Sequence, residues 1–317
     1  MRVYADLQAV EPAPERGRMV AIGVFDGVHL GHQAIIKAAV AGARGSGAVA
    51  TVVTFYPHPE AVLRPRSAPR ALTSPARKAE LLGGLGVEEM VVVGFDREFA
   101  RLLPEAFCRA VLSDRLSARA VFVGENFRFG RDGSGSLADL KAYGRTHGFA
   151  VEAMPLVWEA GSPVSSTRIR ESLRRGDVAE AARLLGRPHQ IEGMVSAGAG
   201  RGRSLNAPTA NLTVERETAL PRLGVYVTSA AVDDGHGHAA VTSVGTNPTF
   251  EKSGRVRVET LLLGFEGDLY GRRLRVDFLY RIRGQRRFPD ADTLREQIEA
   301  DIEVARDVHR RLGTVAR

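Results

Sequence analysis

Two histidines, His29 and His32, stand three residues apart in "GVFDGVHLGHQAIIKAAV" (23–40), hemmed in by Gly23, Gly27 and Gly31. The run before them reads as a strand, and the run after them as a helix from about Gly31. In a parallel sheet, ligands bind where a strand's carboxyl end feeds a helix N-terminus. Orphan backbone N–H groups and the helix dipole make such a start attractive to phosphate. Imidazoles there can donate hydrogen bonds to phosphate oxygens or carry charge near neutral pH. Gly31 permits close backbone approach. No Gly-x-x-x-x-Gly-Lys-Ser/Thr is present, so this is not a P-loop. The spacing could also suit a metal pair, but with no third ligand nearby phosphate contact is favoured. A glycine-rich turn with incidental histidines is the competing structural reading.

Other constellations carry possible chemistry. "SSTRIR" (165–170) puts the hydroxyls of Ser165, Ser166 and Thr167 and the guanidinium groups of Arg168 and Arg170 at a helix start, a second phosphate clamp. Ser165 reads equally as a simple N-cap. Pro57, His58 and Pro59 form a stiff loop after the second strand. Asn126, Arg128 and Phe129 follow a later strand, where arginine can pair with phosphate and Phe129 can either pack on a ring or join the core. "GAGRGRS" (198–204), with Gly200 and Gly202, is a weak dinucleotide fingerprint because no helix follows, and reads better as a flap over phosphate. Glu259 is an acid in the apolar strand "RVRVETLLL". It is either a surface glutamate with Arg255 or Arg257 as partner, or a general base. The strand register, and so the face it shares, stays open.

These residues need elements to position them. From Met19 to about Val157, the runs "MVAIGVF", "AVATVVTF", "EMVVVGF", "RAVFVGENF" and "FAVEAMPLV" alternate with amphipathic helical stretches. That pattern implies βαβ units and a parallel sheet covered on both faces. Cys108 falls near the apolar side of one such helix and reads as a buried core thiol. Residues 165–186 read as helical with an interruption near Gly176. Then come short strands, "QIEGMVSAG", "GVYVTSAAV", "HAAVTSVG", "RVRVETLLLGF" and "RLRVDFLYRIR", separated by Gly, Pro and Asn. They suggest a small antiparallel barrel, closed by a last helix starting at Asp290 or Asp292. The fold class is therefore α/β plus β, with domains at 1–186 and 187–317.

Bulk composition narrows the classes. At 44% hydrophobic and 26% charged, the 317 residues can bury real cores. No apolar run approaches the roughly 20 residues that span a bilayer, and the first twenty residues lack a signal peptide's apolar stretch. A cytoplasmic protein without membrane partners is expected. One cysteine leaves no intrachain disulfide. The net charge of +7 is nearly all arginine, with lysine only at Lys37, Lys78, Lys141 and Lys252. It is spread along the chain, and aromatic residues are 6%. This suits anionic small molecules better than a basic nucleic-acid-binding protein, which would interleave aromatics with its basic patches.

With these residues in place, the chain resembles the prokaryotic bifunctional riboflavin kinase/FAD synthetases. The resemblance runs through "GVFDGVHLGH", "TFYPHP", "VGENFRFG", "VSSTRIRESLRRGDVAEAARLLGRPH", "GRSLNAPTANL", "SVGTNPTF", "VETLLLGFEGDLYG" and "LREQIEADIEVAR", in the family's order and over nearly the whole chain. It implies a Rossmann-like nucleotidyltransferase domain making FAD from FMN and ATP. A riboflavin kinase barrel would make FMN from riboflavin and ATP. Flavins would be substrate and product, not prosthetic groups. It implies that His29 and His32 contact ATP phosphates, with Gly23, Phe25 and Gly31 in the same turn. Ser165, Ser166, Thr167, Arg168 and Arg170 close on the triphosphate, and Gly200 and Gly202 cover phosphate in the second domain. Pro57, His58, Asn126, Arg128 and Phe129 border the flavin, and Glu259 is the catalytic base. Thr209 and Asn211 in "PTAN" point the same way if extended, so their oxygens can share one ATP-bound Mg²⁺. The chain departs from the family at Asn206, Ala207, Leu261 and Gly264. A cytidylyl- or pantetheine-type transferase shares the His-x-Gly-His turn but does not explain the second half. A chain with only one of the two activities is the remaining alternative.

Overall fold

The computed structural model describes residues 1–11, 15–196, 209–233, 235–246 and 256–313. They form two compact units, Met1–Ser166 and Thr167–Arg317.

The first unit is a six-stranded parallel sheet in the order β1–β4–β3–β2–β5–β6. Its strands are β1 (Arg2–Tyr4), β2 (Arg18–Ile22), β3 (Val49–Tyr56), β4 (Glu89–Gly94), β5 (Ala118–Gly124) and β6 (Ala150–Met154). A two-stranded hairpin, β7 (Trp158–Glu159) and β8 (Ser162–Pro163), follows. Alternate strand residues feed opposite faces. Val20 and Ile22 join the cluster of Phe107, Cys108, Val111, Leu112 and Leu140, whereas Ala21 joins that of Ile36, Val40, Leu82 and Phe122. The second cluster lies under α1 (Leu30–Ser46) and α3 (Pro75–Gly84), the latter after the short α2 (Pro59–Leu63). The first lies under α4 (Pro104–Phe107), a π-helical continuation over Cys108–Arg115, and α5 (Leu137–His147). Burial on both faces is why these strands read as continuous apolar runs. Burial also pushes the Cys108 thiol up to about 12, so it is an inert core group. The chain leaves β2 for β3 on one side, while β5 lies on the other. In open α/β sheets, ligands bind beyond the carboxyl ends of the strands at such a switch point, here β2 and β5.

The second unit opens with α6 (Ser166–Arg175) and α7 (Val178–Leu185), broken at Gly176, whose φ is +83°. A closed barrel follows in the order β10–β13–β12–β11–β14–β9. Its strands are β9 (His189–Ser196), β10 (Ala210–Thr213), β11 (Gly224–Val232), β12 (Gly237–Thr246), β13 (Val256–Leu262) and β14 (Arg273–Arg283), each antiparallel to its neighbours. Short β10 escaped the sequence reading, since four residues carry too little alternation to register as a strand. The compact division falls before α6 because α6 and α7 pack with the barrel unit, α7 burying Val178, Ala181, Leu184 and Leu185.

Inside the barrel, buried hydroxyls satisfy one another: Thr228 to Thr242 at 2.8 Å, and Thr242 to Thr260 at 3.0 Å. The final helix, α8 (Ala291–Leu312), is capped by Asp290. It is pinned by His309 Nε2, which donates to the Thr228 carbonyl at 2.9 Å. Arg283 grips buried Asp301 with two nitrogens, at 2.8–3.2 Å, and Gln297 donates to the same carboxylate. Among the described residues no helix is long and apolar enough to cross a membrane.

Removing one partner of the Arg283–Asp301 pair leaves the other charge half-buried. Asp301→Ala should destabilise the second unit by roughly 3 kcal/mol, read as a lower urea midpoint at unchanged slope. A midpoint matching the parent would show that the pair contributes nothing net.

Candidate functional site

The histidine turn is built on backbone that most residues avoid. After β2, Phe25 (φ +50°), Gly27 (φ +83°) and Val28 (φ +43°) all adopt left-handed conformations. A non-glycine residue held in a sparsely populated region costs on the order of 1–3 kcal/mol and persists only where its surroundings over-determine it. They do. Asp26 is buried, and its carboxylate accepts from the Leu72 and Thr73 backbone N–H groups at 3.0–3.2 Å. Gly27 N donates to Thr73 Oγ1, and Gln33 Nε2 donates to the Val28 carbonyl at 2.9 Å. Ser166 Oγ donates to the Asp26 carbonyl at 2.9 Å. Asp26 thus holds the turn.

His29 is the N-cap of α1, its Nδ1 accepting from His32 N at 3.3 Å. In its neutral form, that bond leaves the ring proton on Nε2. The two imidazoles stack with centroids 3.5 Å apart and planes 18° from parallel. Phe25 meets His32 edge-on at 5.2 Å. The glycines make the room. A Cβ on Gly23 would lie 3.1 Å from the Phe25 ring, and one on Gly31 3.2 Å from the His29 ring. His32 is half-buried, and its Nδ1 is enclosed with no hydrogen-bond partner. Burial first, then the neighbouring His29 and Lys78, hold its pKa well below the ordinary value. His32 is therefore held toward its neutral form, and the stacked pair stands beside the first turn of α1.

The other sequence candidates of this unit fall around the same sheet. His58 caps α2, Nδ1 accepting from Glu60 N at 3.1 Å, after an exposed Pro57. Asn126 and Arg128 are exposed beyond β5, Arg128 Nε donating to the Gly133 carbonyl. Phe129 takes the core place that the sequence left open for it, buried between Phe107 and Phe127. Ser165 and Ser166 end the unit.

Thr167, Arg168 and Arg170 begin the second unit. Thr167 is exposed and Arg170 half-buried. The Arg168 guanidinium donates to Glu180 Oε1 from Nε at 3.1 Å and Nη2 at 2.9 Å. That makes it a brace between α6 and α7.

In the barrel, strand register settles what the sequence left open. Glu259 lies opposite Asn211 of β10 on one side and opposite Ser243 of β12 on the other. It shares the outward, half-buried face with Arg257 and Leu261, while Val258, Thr260 and Leu262 point inward. Facing Cβ atoms in such a pair lie roughly 5 Å apart. No hydrogen bond or ion pair engages the Glu259 carboxylate or the Asn211 side chain among the described residues. Thr209, half-buried, precedes β10 by one residue and stands two from Asn211. Gly264 has φ +68°, so glycine suits that departure. Gly200, Gly202, Asn206 and Ala207 lie outside the described residues.

A family model for FAD synthetase matches residues 11–168, and one for riboflavin kinase matches residues 185–309. The bifunctional riboflavin kinase/FMN adenylyltransferase of Pseudomonas fluorescens is 38% identical over 306 residues, 96% of this chain and 97% of that protein. Its namesake from Listeria monocytogenes serovar 1/2a is 36% identical over 90% of each chain. This chain belongs to the bifunctional riboflavin kinase/FMN adenylyltransferase family. A crystal structure described as a macrolide-efflux protein from Streptococcus pneumoniae shares the fold, with TM-score 0.85, 34% identity, and coverage of 96% of this chain and 98% of that one. As a family member, the chain phosphorylates riboflavin to FMN and transfers an adenylyl group from ATP to FMN.

Sequence reasoning missed the residues that hold the adenylyltransferase turn: Thr54, Leu72, Thr73 and Lys78. Lys78 left a signal. It lies four residues before Leu82 on α3, so a lysine occupies the buried stripe of an amphipathic helix, and it is one of only four lysines. Ser243 left none, because only register reveals it.

The low His32 pKa has a stability consequence. Below the ordinary histidine value, about 6.5, the unfolded chain binds a proton that the native chain refuses. Stability is therefore complete above that pH and is lost as pH falls toward the depressed native value. In His32→Gln, the loss between pH 7 and 5 should shrink, by at most about 1.4 kcal/mol per pH unit, in denaturant titrations of the first unit's transition. Unchanged pH dependence would mean that His32 titrates normally in the fold.

Proposed function

We propose that the two family reactions use the residues assembled above, with adenylyl transfer in residues 1–186 and riboflavin phosphorylation in 187–317. In the kinase step, Glu259 takes the proton from the terminal ribityl hydroxyl as that oxygen attacks the γ-phosphorus of ATP and ADP leaves. The observation that carries this assignment is the register of β10 and β13. It sets an unpartnered amide and an unpartnered carboxylate directly opposite each other on one face. The donor set at Thr209 and Asn211 is oxygen only, beside a carboxylate, which fits Mg²⁺. Bound there with ATP, the ion would supply charge neutralisation at the phosphates.

In the adenylyl step, a phosphate oxygen of FMN attacks the α-phosphorus of ATP, the bond to the bridging oxygen breaks, and pyrophosphate leaves. Little covalent help is needed; alignment and donors aimed at the phosphates suffice. His29 and His32 supply neutral N–H groups, and the start of α1 supplies backbone donors beside them. Ser166 ties the second motif to the turn through the Asp26 carbonyl. Thr167 and Arg170 retain the role in triphosphate binding that the resemblance gives them, and Asn126 and Arg128 the role at the flavin edge. Riboflavin, FMN and ATP are the partners in this reading, and the cytoplasm is where it places the chain.

The test is to incubate the full chain with riboflavin, ATP and Mg²⁺ and resolve riboflavin, FMN and FAD by chromatography over time. FMN should appear first and FAD later. His29→Ala should stop the sequence at FMN, with FAD formation reduced at least a hundredfold. Glu259→Gln should lose FMN formation to a similar degree yet still convert supplied FMN to FAD. Both activities failing together in either variant would sink the separation of roles.

A further inference from the structure

We infer that Lys78, together with Thr54, is a positioning residue for adenylyl transfer, holding the Val24 carbonyl and through it the backbone that presents His29 and His32. This rests on the reading of that pair as the phosphate contacts.

Most clamps on the turn described above are neutral or come from the backbone; the exception within the turn is the Asp26 carboxylate. Val24, immediately before the left-handed Phe25, is different. Its carbonyl accepts from Lys78 Nζ at 2.8 Å and from Thr54 Oγ1 at 2.9 Å. Lys78 Nζ also donates to Thr54 Oγ1 at 3.2 Å, closing a three-membered ring of hydrogen bonds. Lys78 is buried, at 9% exposure, and Thr54 at 1%. Burial lowers the lysine pKa, partly opposed by Asp26. Taking an ammonium out of water for two neutral oxygens is costly, and a methionine would fill similar space without that cost. What the ammonium adds is direction: two donors converge on one carbonyl and fix where the chain turns.

Displacement there has a short route to the chemistry. Phe25 follows Val24 and meets His32 edge-on, and His32 stacks on His29. On the other side of Val24, a Cβ at Gly23 would lie 3.1 Å from the Phe25 ring, so the backbone there passes close to that ring. Releasing the Val24 carbonyl therefore shifts the pair without altering any group that touches nucleotide. Misplacement by about 1 Å can cost a hundredfold in rate.

The experiment uses the full chain and measures FAD formation from FMN and ATP alongside FMN formation from riboflavin in the same preparation. The kinase reaction checks the amount of native second unit, and an unchanged denaturant midpoint of the first unit's transition shows that the unit holding Lys78 and Thr54 is native. Lys78→Met and Thr54→Val should each lower kcat for FAD formation about tenfold or more, with KM for FMN changed less than about twofold. FMN formation should be unchanged, and Thr54→Ser, which keeps the hydroxyl, should retain the parent kcat. Parent-like kcat in Lys78→Met and Thr54→Val overturns the inference. So does a raised KM at unchanged kcat, which would make the pair part of flavin binding. If Lys78→Met does not fold, the near-isosteric Thr54→Val decides alone. Loss of FAD formation in His29→Ala, with retention in both of the others, overturns the inference only. Retention in His29→Ala overturns the underlying reading as well.

Discussion

The adenylyltransferase half depends on one constraint: a backbone turn held in a conformation that its residues disfavour. Phe25 and Val28 carry side chains yet sit at positive φ. The strain of two such residues is of order 1–3 kcal/mol each. The buried hydrogen bonds that oppose it, at about 1 kcal/mol net apiece, are numerous enough to hold the turn in place. They come from Leu72, Thr73 and Lys78 around the start of α3, from Thr54 on β3, and from Ser166 at the unit's end. A loop that touches a ligand is usually mobile; this one is nailed to the sheet from three directions. That rigidity is what a reaction driven by alignment requires.

The barrel positions its candidates by strand pairing. Its candidate base and its candidate amide ligand come into line because antiparallel pairing sets residues opposite one another, and because alternation sends both to the same face. The inward face carries the load instead, through the threonine hydroxyl chain and the apolar side chains around it. Packing and chemistry are thus assigned to opposite sides of the same strands. A change in the core need not disturb Glu259, provided the register holds. A one-residue slip would send Glu259 inward and lose both at once.

Legibility in the sequence followed the range of the interactions. Alternating apolar runs revealed the parallel sheet, because strands buried on both faces cannot hide their composition. The histidine turn, the break at Gly176 and the Asp290 cap were equally visible, each resting on a local rule about glycine or helix ends. The register around Glu259 was not, since nothing in "RVRVETLLL" says which strand lies beside it. The Arg168 brace was hidden for the same reason: its partner Glu180 is twelve residues away across the α6–α7 turn. Lys78 was passed over because a lone lysine in a helix is ordinarily a solvated one; only its contact with Val24, 54 residues away, makes it unusual.

The electrostatics of the histidine pair limit what it can contribute. Stacked 3.5 Å apart, with Lys78 in the same neighbourhood, the two rings cannot both be cationic without strong mutual repulsion. His29 is further committed, because its Nδ1 accepts the first amide bond of α1 and would lose that bond on protonation. The pair is thus a set of directed neutral donors rather than a store of positive charge. In the proposed adenylyl step, the several negative charges of a polyphosphate would have to be met by groups besides the pair. The turn supplies geometry, the helix start supplies oriented backbone dipoles, and charge arrives from elsewhere. The lysine nearest the pair lies beneath the turn, where its ammonium donates to the Val24 carbonyl.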